Sequence, residues 1–405
     1  MKKDTKLSIV NLSQQEIPVI TEDTKSRHQW VPVGIMDIDD YFPILTDAYT
    51  TSTTNAACID GISDLIYGKG LFSNNLIFQT ALEKIVSQED VRRISFDLKL
   101  YGNCAVDVIW NDDHTKIRKM YHTPVQNWRA KKVWDKPFVD AYYYCHDWMD
   151  QRAQRIKVEV PAFGKSTEKR ELLYIKNYTP GKFYYSVPDW VSALQFSFVE
   201  AELSNLHINN IENGFLPLVM VNLNNGVPAP EERQTIEAQI EQKFTGTRNA
   251  GRFMVSFNDD PSVKPTIDTI TTENLHEKYQ YVGDYAQDRI LVAHRITSPL
   301  LFGIRTASNG FSSQSEEMKT AFSILQTMTI QGFQSVLLNA FQDAFELGGW
   351  GDETELYFEQ LTPLVILSTT AEETGQTVEQ VEEDVNESME NPNTIEDETD
   401  NLITE

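Results

Sequence analysis

Two long amphipathic helices separated by a small mixed segment are the feature that most limits how this chain can fold. Apolar residues recur every three to four positions over 189–213 and again over 272–296, which predicts a helix in each range. Asn213-Gly214 supplies a stop signal for the first helix. Between them the pattern indicates a polar helix after Pro230 and three strands, at 216–223, 252–257 and 264–270. The chain therefore leaves along one helix, forms a small α/β unit and returns along another.

Regular signals on both sides of this segment complete an α+β fold class. Before it, 39–68 and 76–100 predict packed helices, the second region being split near Ser87, and 101–185 is rich in strand patterns. After it, 313–347 predicts one long helix that Gly332 can kink, and 355–367 predicts a strand. Apolar residues make up 40% of the chain, enough for a sizeable core.

The charge balance argues against a protein that grips nucleic acid. Lys and Arg total 35 and Asp and Glu total 60, giving a net charge of −25. The segment 371–405 holds 13 acids and no Lys or Arg, so we expect the tail from 369 to be disordered and dispensable for folding. Tight duplex binding needs clustered cations, which an acidic chain of this kind does not favour.

Three widely spaced cysteines indicate a reducing compartment without a disulfide framework. Cys104 and Cys145 lie in apolar stretches and are interpreted as core residues. No apolar stretch follows the polar N-terminus, so we expect no signal peptide. No apolar run approaches the ~20 residues that a membrane-spanning helix needs.

The motifs for enzymatic chemistry are weak. Gly164-Lys165-Ser166-Thr167 resembles part of a phosphate-binding loop, but Glu159 stands where such a loop needs its first glycine, so we predict a loop between strands. The sequence contains neither HExxH nor GxSxG. His146-Asp147 remains a candidate acid/base pair, which keeps open an intracellular α+β enzyme, hydrolase-like in chemistry.

A basic cluster interleaved with aromatic residues is the one nucleic-acid signal. Such a surface can bind single strands, but we favour a solvated sheet face or half of a subunit interface. Its members are Lys116, Arg118, Lys119, Tyr121, Trp128, Arg129, Lys131, Lys132, Trp134 and Lys136.

The order of segments resembles the portal proteins of tailed bacteriophages. A helix is followed by ENGFLPLVMVNL, an acidic helix, TGTRNAGRFMVSF, a second helix and HRITSPLLFG. The resemblance spans roughly 41–358 and is sharpest over 188–303. The Ser186-Val187-Pro188-Asp189-Trp190 sequence departs from the family's usual Pro-Ser-Pro-Leu-type start of the first helix.

The resemblance implies a portal-type subunit with a mixed α/β wing, two long stem helices, a small α/β clip and a long kinked wing helix. The implied division is an N-terminal arm (1–40) that orders mainly against neighbours, the wing (41–188), the outgoing stem helix (189–213), the clip (214–271), the returning stem helix (272–297), a tunnel loop (298–312), the long wing helix with a short crown-side strand (313–368), and the acidic tail (369–405).

The function implied by the family is a ring of about twelve subunits at one capsid vertex. Double-stranded DNA would pass through it during packaging and ejection, without sequence specificity. Implied partners are the terminase large subunit, the major capsid and scaffolding proteins and a head–tail adaptor, with no membrane and no cofactor. The implied location is the virion, with assembly in the host cytoplasm. Another ring-forming virion adaptor is a third interpretation, although adaptors are usually much shorter than 405 residues.

Three sets of site residues follow from this resemblance. The DNA-facing tunnel loop would carry Arg305, Thr306, Ser308, Asn309 and Gly310. The channel would be lined by acids of the stem, namely Glu200, Glu202, Glu273, Glu277, Asp284 and Asp288. The clip would contribute Asn249, Gly251 and Arg252. No catalytic or metal-binding residue is implied.

Overall fold

The computed structural model describes residues 20–34, 39–212, 218–223, 253–257, 266–270, 275–302, 314–351 and 354–361, together with Thr377 and Gln380. Helices and sheets are both extensive, and the predicted α+β class is confirmed.

Nine α-helices occur within the described ranges. They are α1 (Tyr41–Thr51), α2 (Thr53–Tyr67), α3 (Leu76–Ile85), α4 (Gln88–Tyr101), α5 (Gln151–Arg155), α6 (Leu194–Glu212), α7 (Leu275–Ala293), α8 (Gln314–Leu325) and α9 (Gln331–Phe345). Local signals set several ends. At the start of α4, the Ser87 side chain accepts a hydrogen bond from the Asp90 amide. Helix α2 ends before Gly68, whose φ of +61° favours glycine.

Thirteen short strands accompany these helices in the described part of the chain. They are β1 (Thr21–Glu22), β2 (Val33–Gly34), β3 (Gly70–Ser73), β4 (Asn103–Trp110), β5 (Ile117–Thr123), β6 (Trp128–Ala130), β7 (Ala141–Tyr144), β8 (Val158–Pro161), β9 (Arg170–Lys176), β10 (Leu218–Leu223), β11 (Phe253–Phe257), β12 (Thr266–Ile270) and β13 (Leu356–Glu359).

The strand-rich region forms two three-stranded sheets. The antiparallel orders are β5-β4-β9 and β6-β7-β8. Pro124 and the short helical turn Val125–Asn127 separate β5 from β6. Because proline lacks a backbone donor and fixes φ, the run cannot continue as one strand.

The core consists of two large clusters that share these sheets. In one, α9 and the inner faces of α2 and α4 pack on β4, with Phe341 and Ile62 fully buried. The other is aromatic, joining α1 to β6 and to the start of the stem through Tyr41, Trp128 and Trp190.

The described part of the N-terminal arm, 20–34, packs on the body of its own subunit. β1 pairs with β2, and Val31 and Val33 are buried. The Glu22 carboxylate accepts backbone N–H groups of three consecutive residues, at 3.1 Å from Phe183, 2.9 Å from Tyr184 and 2.7 Å from Tyr185. These contacts cross about 160 positions of the chain, so local sequence patterns carry no sign of them.

The long helix predicted for 313–347 is interrupted. A π-helical turn, Gln326–Ile330, separates α8 from α9, just before Gly332 where we predicted a kink. Backbone hydrogen bonds in a π-helical turn join residues five apart rather than four apart, so the turn holds one extra residue. Gln326, Thr329 and Ile330 in this turn are all buried. The helix closes at Gly348-Gly349 as expected, since Gly349 has a φ of +76°. β13 then pairs antiparallel with β3.

Candidate functional site: the stem helices and their base

Helices α6 and α7, called the stem below, pack against each other along their length. Three contacts define their alignment: Phe196 meets Tyr285 edge-on with ring centroids 5.9 Å apart, Gly283 faces Leu203, and His207 meets Tyr279 at 6.2 Å. Residue numbers rise on one helix as they fall on the other, so the pair is antiparallel. A Cβ on Gly283 would lie 3.7 Å from Leu203 Cδ1, an ordinary contact.

The outer faces of the stem carry apolar side chains that no described residue covers. The exposed fraction is 54% for Ile208, 64% for Ile211, 70% for Tyr281 and 64% for Val292. Apolar side chains that are more than half exposed are candidates for contact with another molecule. The stem therefore has the character of an interface element.

The base of the outgoing helix differs from its predicted start. We expected Asp189 to be the first residue of the helix, but a short helical turn, Val191–Ala193, precedes α6. The Asp189 carboxylate instead lies 2.9 and 3.0 Å from Nζ of Lys99, whose side chain is fully buried. The Trp190 indole donates to the Lys99 carbonyl at 3.2 Å. A buried cation on α4 thus fixes where the stem begins, because a buried charge needs a partner.

The end of the returning helix is fixed by His294. Its imidazole stacks on Trp190 with centroids 5.9 Å apart, and Nε2 lies 2.9 Å from Asn55 Oδ1. The Asn55 amide nitrogen donates to the Ala48 carbonyl, so Oδ1 is the acceptor and Nε2 carries the proton. Burial, with the nearby charge of Lys99, holds the pKa of His294 well below its ordinary value of 6.5. The ring is therefore neutral and joins both stem helices to α2.

Glu200, predicted to line a channel, is bound inside the subunit. Its carboxylate accepts hydrogen bonds from Thr53 Oγ1 at 3.1 Å, Thr54 Oγ1 at 2.7 Å and the Thr54 amide at 3.3 Å, and from the Ser52 hydroxyl. These groups form the first turn of α2, where a carboxylate is stabilised by free N–H groups and the helix dipole. Glu200 therefore ties α6 to α2.

The other stem acids differ from Glu200. Glu202, Glu277, Asp284 and Asp288 are exposed on the stem. Glu273 lies outside the described residues, as do the tunnel-loop residues Arg305, Thr306, Ser308, Asn309 and Gly310 and the clip residues Asn249, Gly251 and Arg252.

The three clip strands predicted from sequence are present. β10 lies between β11 and β12, pairing parallel with the first and antiparallel with the second. The polar helix predicted after Pro230 lies outside the described residues.

The phosphate-loop-like motif is a loop between β8 and β9, as predicted. The Gly164 and Ser166 amides donate to the Glu171 carboxylate at 3.0 and 3.1 Å, and the Trp110 indole donates to it at 2.9 Å. Glu171 is fully buried. The loop amides thus hold a carboxylate of the same chain in the position that a bound anion would take.

The candidate acid/base pair lies at an open cleft of about 340 Å³ between α1 and the loop after β7. Asp147 Oδ1 accepts the Met149 and Asp150 amides at 2.8 and 3.3 Å, so its carboxylate shapes a turn. His146 and Asp147 are both exposed. The Asp147 carboxylate therefore has a structural use in this turn.

The cysteines are core residues, which confirms the prediction for Cys104 and Cys145. All three cysteines are buried and free. Burial raises the pKa of the Cys58 thiol to about 12 and also raises those of Cys104 and Cys145. None is poised as a thiolate.

The basic cluster does not form one solvated face. Arg129 is buried, with Nε 2.9 Å from each carboxylate oxygen of Asp39 and its guanidinium 4.9 Å from the ring centre of Phe42. Other members are paired individually: Lys131 with Glu159, Lys132 with Ser26, Lys136 with Asp140, and Lys116 over the Trp350 ring. Sequence proximity misled here because these side chains point to different partners.

Within the described ranges, no helix combines the length and apolar character needed to cross a membrane. The same residues contain no cluster of three or more His, Cys, Asp or Glu side chains suited to a metal ion.

Comparison with known proteins gives structural matches only. No family model and no curated protein sequence matches this chain. A chain from the neck of a native gene transfer agent particle, computed with C12 symmetry, matches with a TM-score of 0.55 and 16% identity, over 84% of this chain and 89% of that chain. A chain from the virion of the native particle matches with a TM-score of 0.55, 15% identity and the same coverage.

A portal protein of the HK97 phage family from Corynebacterium diphtheriae matches with a TM-score of 0.44 and 12% identity, over 73% of this chain and 88% of that chain. The chains from the particle neck and virion cover most of this chain at the higher score. They confirm, at the level of the fold, the resemblance that the sequence suggested.

Proposed function

We propose that this chain is the subunit of a homo-oligomeric ring that forms a portal-type conduit for DNA in a phage-like particle. The observation that carries the proposal is the fold, which matches chains of a particle neck over 84% of this chain and 89% of theirs. Because fold alone does not define function, the proposal also draws on the chemistry of the stem.

The exposed apolar residues of the stem support a ring. Tyr281 and Val292 on α7 and Ile211 on α6 are each more than half exposed in the single subunit. A neighbour packed on this face would remove that surface from water, which stabilises association by roughly 25 cal/mol per Å² buried. Repeating one head-to-tail contact around an axis closes a ring.

The charge of the stem suits a conduit through which DNA slides. Helix α6 contains three acids and no Lys or Arg, and α7 contains three acids against Lys278 and Arg289. Each cation that neutralises a phosphate adds affinity through counterion release. A surface with few cations would therefore hold the duplex weakly and keep barriers to translocation low.

The finer assignments are part of the same proposal. The wing, stem, clip and tunnel loop would have the boundaries given by the sequence, and the ring would contain about twelve subunits closed by one repeated contact. The clip would dock the terminase, while the ring would meet capsid, scaffolding and head–tail adaptor proteins. The channel-lining candidates are Glu200, Glu202, Glu273, Glu277, Asp284 and Asp288. Of these, Glu200 also accepts hydrogen bonds from the first turn of α2.

Purified full-length protein tests the ring. We expect light scattering to give the mass of a closed oligomer, and negative-stain images to show rings with a central hole. A monomer at micromolar concentration under a range of salt concentrations would contradict the proposal.

The tunnel loop has its own test. Gly310→Pro removes backbone freedom, and Arg305→Ala removes the loop's one cation. In variants that still form rings, we expect Gly310→Pro to lower DNA packaging and retention. Packaging by Gly310→Pro at the wild-type level would exclude a mobile DNA-facing loop, and a silent Arg305→Ala would exclude a phosphate contact.

A further inference from the structure

A surface formed by α5 and β8 combines unpaired cations, exposed apolar side chains and an open strand edge. We call this the α5–β8 surface and define it by Met149, Arg152, Arg155, Ile156, Lys157 and Val158. The exposed fractions of Met149, Ile156 and Val158 are 60%, 72% and 51%. None of these features takes part in the proposed conduit.

The cations on this surface are available to a ligand. Arg152 and Arg155 are exposed, and no described residue forms an ion pair with either guanidinium. Lys157 lies over the rings of Trp30 and Tyr143, with Nζ 5.0 and 5.3 Å from their centres. The range 151–158 contains three cations and no acid. This differs from the basic cluster described above, whose main members are paired within the chain.

The backbone of β8 is also open to a partner. β8 is an edge strand of the sheet β6-β7-β8 and pairs with β7 on one side. On its other side β8 has no described ladder, although β9 lies near it. Just beyond the strand the chain meets β9 through the bridge Ala162↔Leu172 and the Phe163 amide, which donates to the Leu172 carbonyl at 2.9 Å. An uncovered edge carries free N–H and C=O groups that an extended segment can pair with.

The chain contains a segment whose chemistry complements this surface. The range 371–405 holds 13 acids and no Lys or Arg, and its last part includes Ile395, Leu402 and Ile403. From Leu361 the remaining 44 residues can extend over ~145 Å, at ~3.3 Å per residue, so the tail of the same subunit can reach any face of the fold. We propose that the acidic C-terminal tail docks on the α5–β8 surface of its own subunit as an extended segment along β8.

A duplex is a weaker candidate for this surface. Strong binding to DNA requires many phosphate contacts from clustered cations, whereas this surface offers three cations beside apolar side chains. Exposed apolar residues and a free strand edge suit a peptide with mixed acidic and apolar residues. The inference does not depend on the proposed conduit function.

Full-length protein labelled in the tail provides the test. Thr394→Cys introduces a reactive thiol in a chain whose native cysteines are all buried, so a fluorophore can be attached selectively. We expect the dye to be rotationally restricted at low salt and mobile in ~1 M salt, where the Debye length is ~3 Å. Arg152→Glu/Arg155→Glu should make the dye mobile at every salt concentration. A dye that is mobile at low salt in the wild-type background would overturn the proposal.

A matched control uses the exposed arginine pair of α4. Arg92→Glu/Arg93→Glu reverses the same charge on another face, where each arginine pairs locally with an acid. We expect this variant to leave the dye restricted and the melting temperature of both double variants to match wild type. Equal release by both variants would show a general charge effect and overturn docking at the α5–β8 surface.

Two further experiments distinguish the tail of the same subunit from a neighbouring copy and from DNA. Labelled wild-type subunits co-assembled with excess unlabelled Arg152→Glu/Arg155→Glu subunits should keep a restricted dye, and a mobile dye would place the tail on a neighbouring copy and overturn own-subunit docking. Duplex DNA added to the labelled protein should leave the dye restricted. Displacement of the tail by DNA at physiological salt would identify the surface as a nucleic-acid site instead.

Discussion

In the wing body, which comprises the described residues 20–190 with α9 and β13, two cations are buried and paired inside one subunit, whereas most charged side chains of the stem are exposed. Arg129 and Lys99 each lie in the core opposite an aspartate. Ile211 and Tyr281 of the stem face away from their own subunit. The wing body thus holds charge pairs in its own core, and we propose that neighbouring subunits cover the exposed apolar side chains of the stem. The difference predicts that substitutions in the two regions affect stability and assembly separately.

The largest loss of stability is expected from a buried charge pair in the wing body. Arg129→Ala removes a side chain that is 2% exposed and leaves Asp39 without its counter-ion. Breaking a buried pair from one side typically costs ~3–5 kcal/mol of unfolding free energy. Chemical denaturation measures the change.

Arg170→Ala is the matched control for Arg129→Ala. Arg170 also binds an aspartate through two nitrogens, at 2.8 and 2.5 Å from Asp107, but its side chain is 43% exposed. Exposed pairs contribute ~0–1 kcal/mol. Equal losses from both variants would contradict the distinction between buried and exposed pairs.

The tie between stem and wing body should give an intermediate effect. Glu200→Ala removes the acceptor for the first turn of α2 and should cost ~1–3 kcal/mol, the range for hydrogen bonds to a charged group. Glu202→Ala, two positions along the same helix, changes an exposed acid and should be nearly silent. Thermal melts of the two variants provide the comparison. A melting temperature of Glu200→Ala equal to that of wild type would contradict the stabilising link between α6 and α2.

The pH dependence of the junction should be next in size. His294 has a folded-state pKa well below its ordinary value of 6.5, so on acidification the unfolded chain binds a proton there before the folded chain does. Unfolding then becomes easier as pH falls below ~6.5, and the contribution of His294 is constant above ~7.5.

His294→Gln should lose this part of the pH dependence. The measurement is the difference in unfolding free energy between variant and wild type at pH 7.5 and at pH 5.5, which cancels the other titrating groups. A difference that does not change between the two pH values would show that the imidazole titrates normally in the folded state.

The smallest effect on subunit stability is expected from the stem surface. Ile211→Asp and Val292→Asp alter exposed positions, so the subunit should unfold within ~0.5 kcal/mol of wild type. The same variants should lose the ring in light scattering, because each neighbour contact would bury an unpaired carboxylate. Rings that persist in both variants would refute the stem as an interface.

Local signals in the sequence predicted much of the secondary structure. Ser87 and Gly68 mark helix ends because caps depend on residues within one turn of the helix. The three strands of the clip and the antiparallel stem pair also follow from periodicity. The resemblance in order of segments was enough to indicate the fold, which structural comparison confirms.

Charges and partners were decided by tertiary structure. Lys99 and Arg129 look like ordinary surface cations in the sequence, but their partners Asp189 and Asp39 lie 90 positions away, and Glu200 meets Thr53 across 147 positions. The sequence determines the periodic faces and caps, since these depend on neighbouring residues. Which charge is buried, which acid caps another helix and how strands divide into two sheets depend on contacts between distant segments, because desolvation and hydrogen bonding act only between groups that the fold brings together.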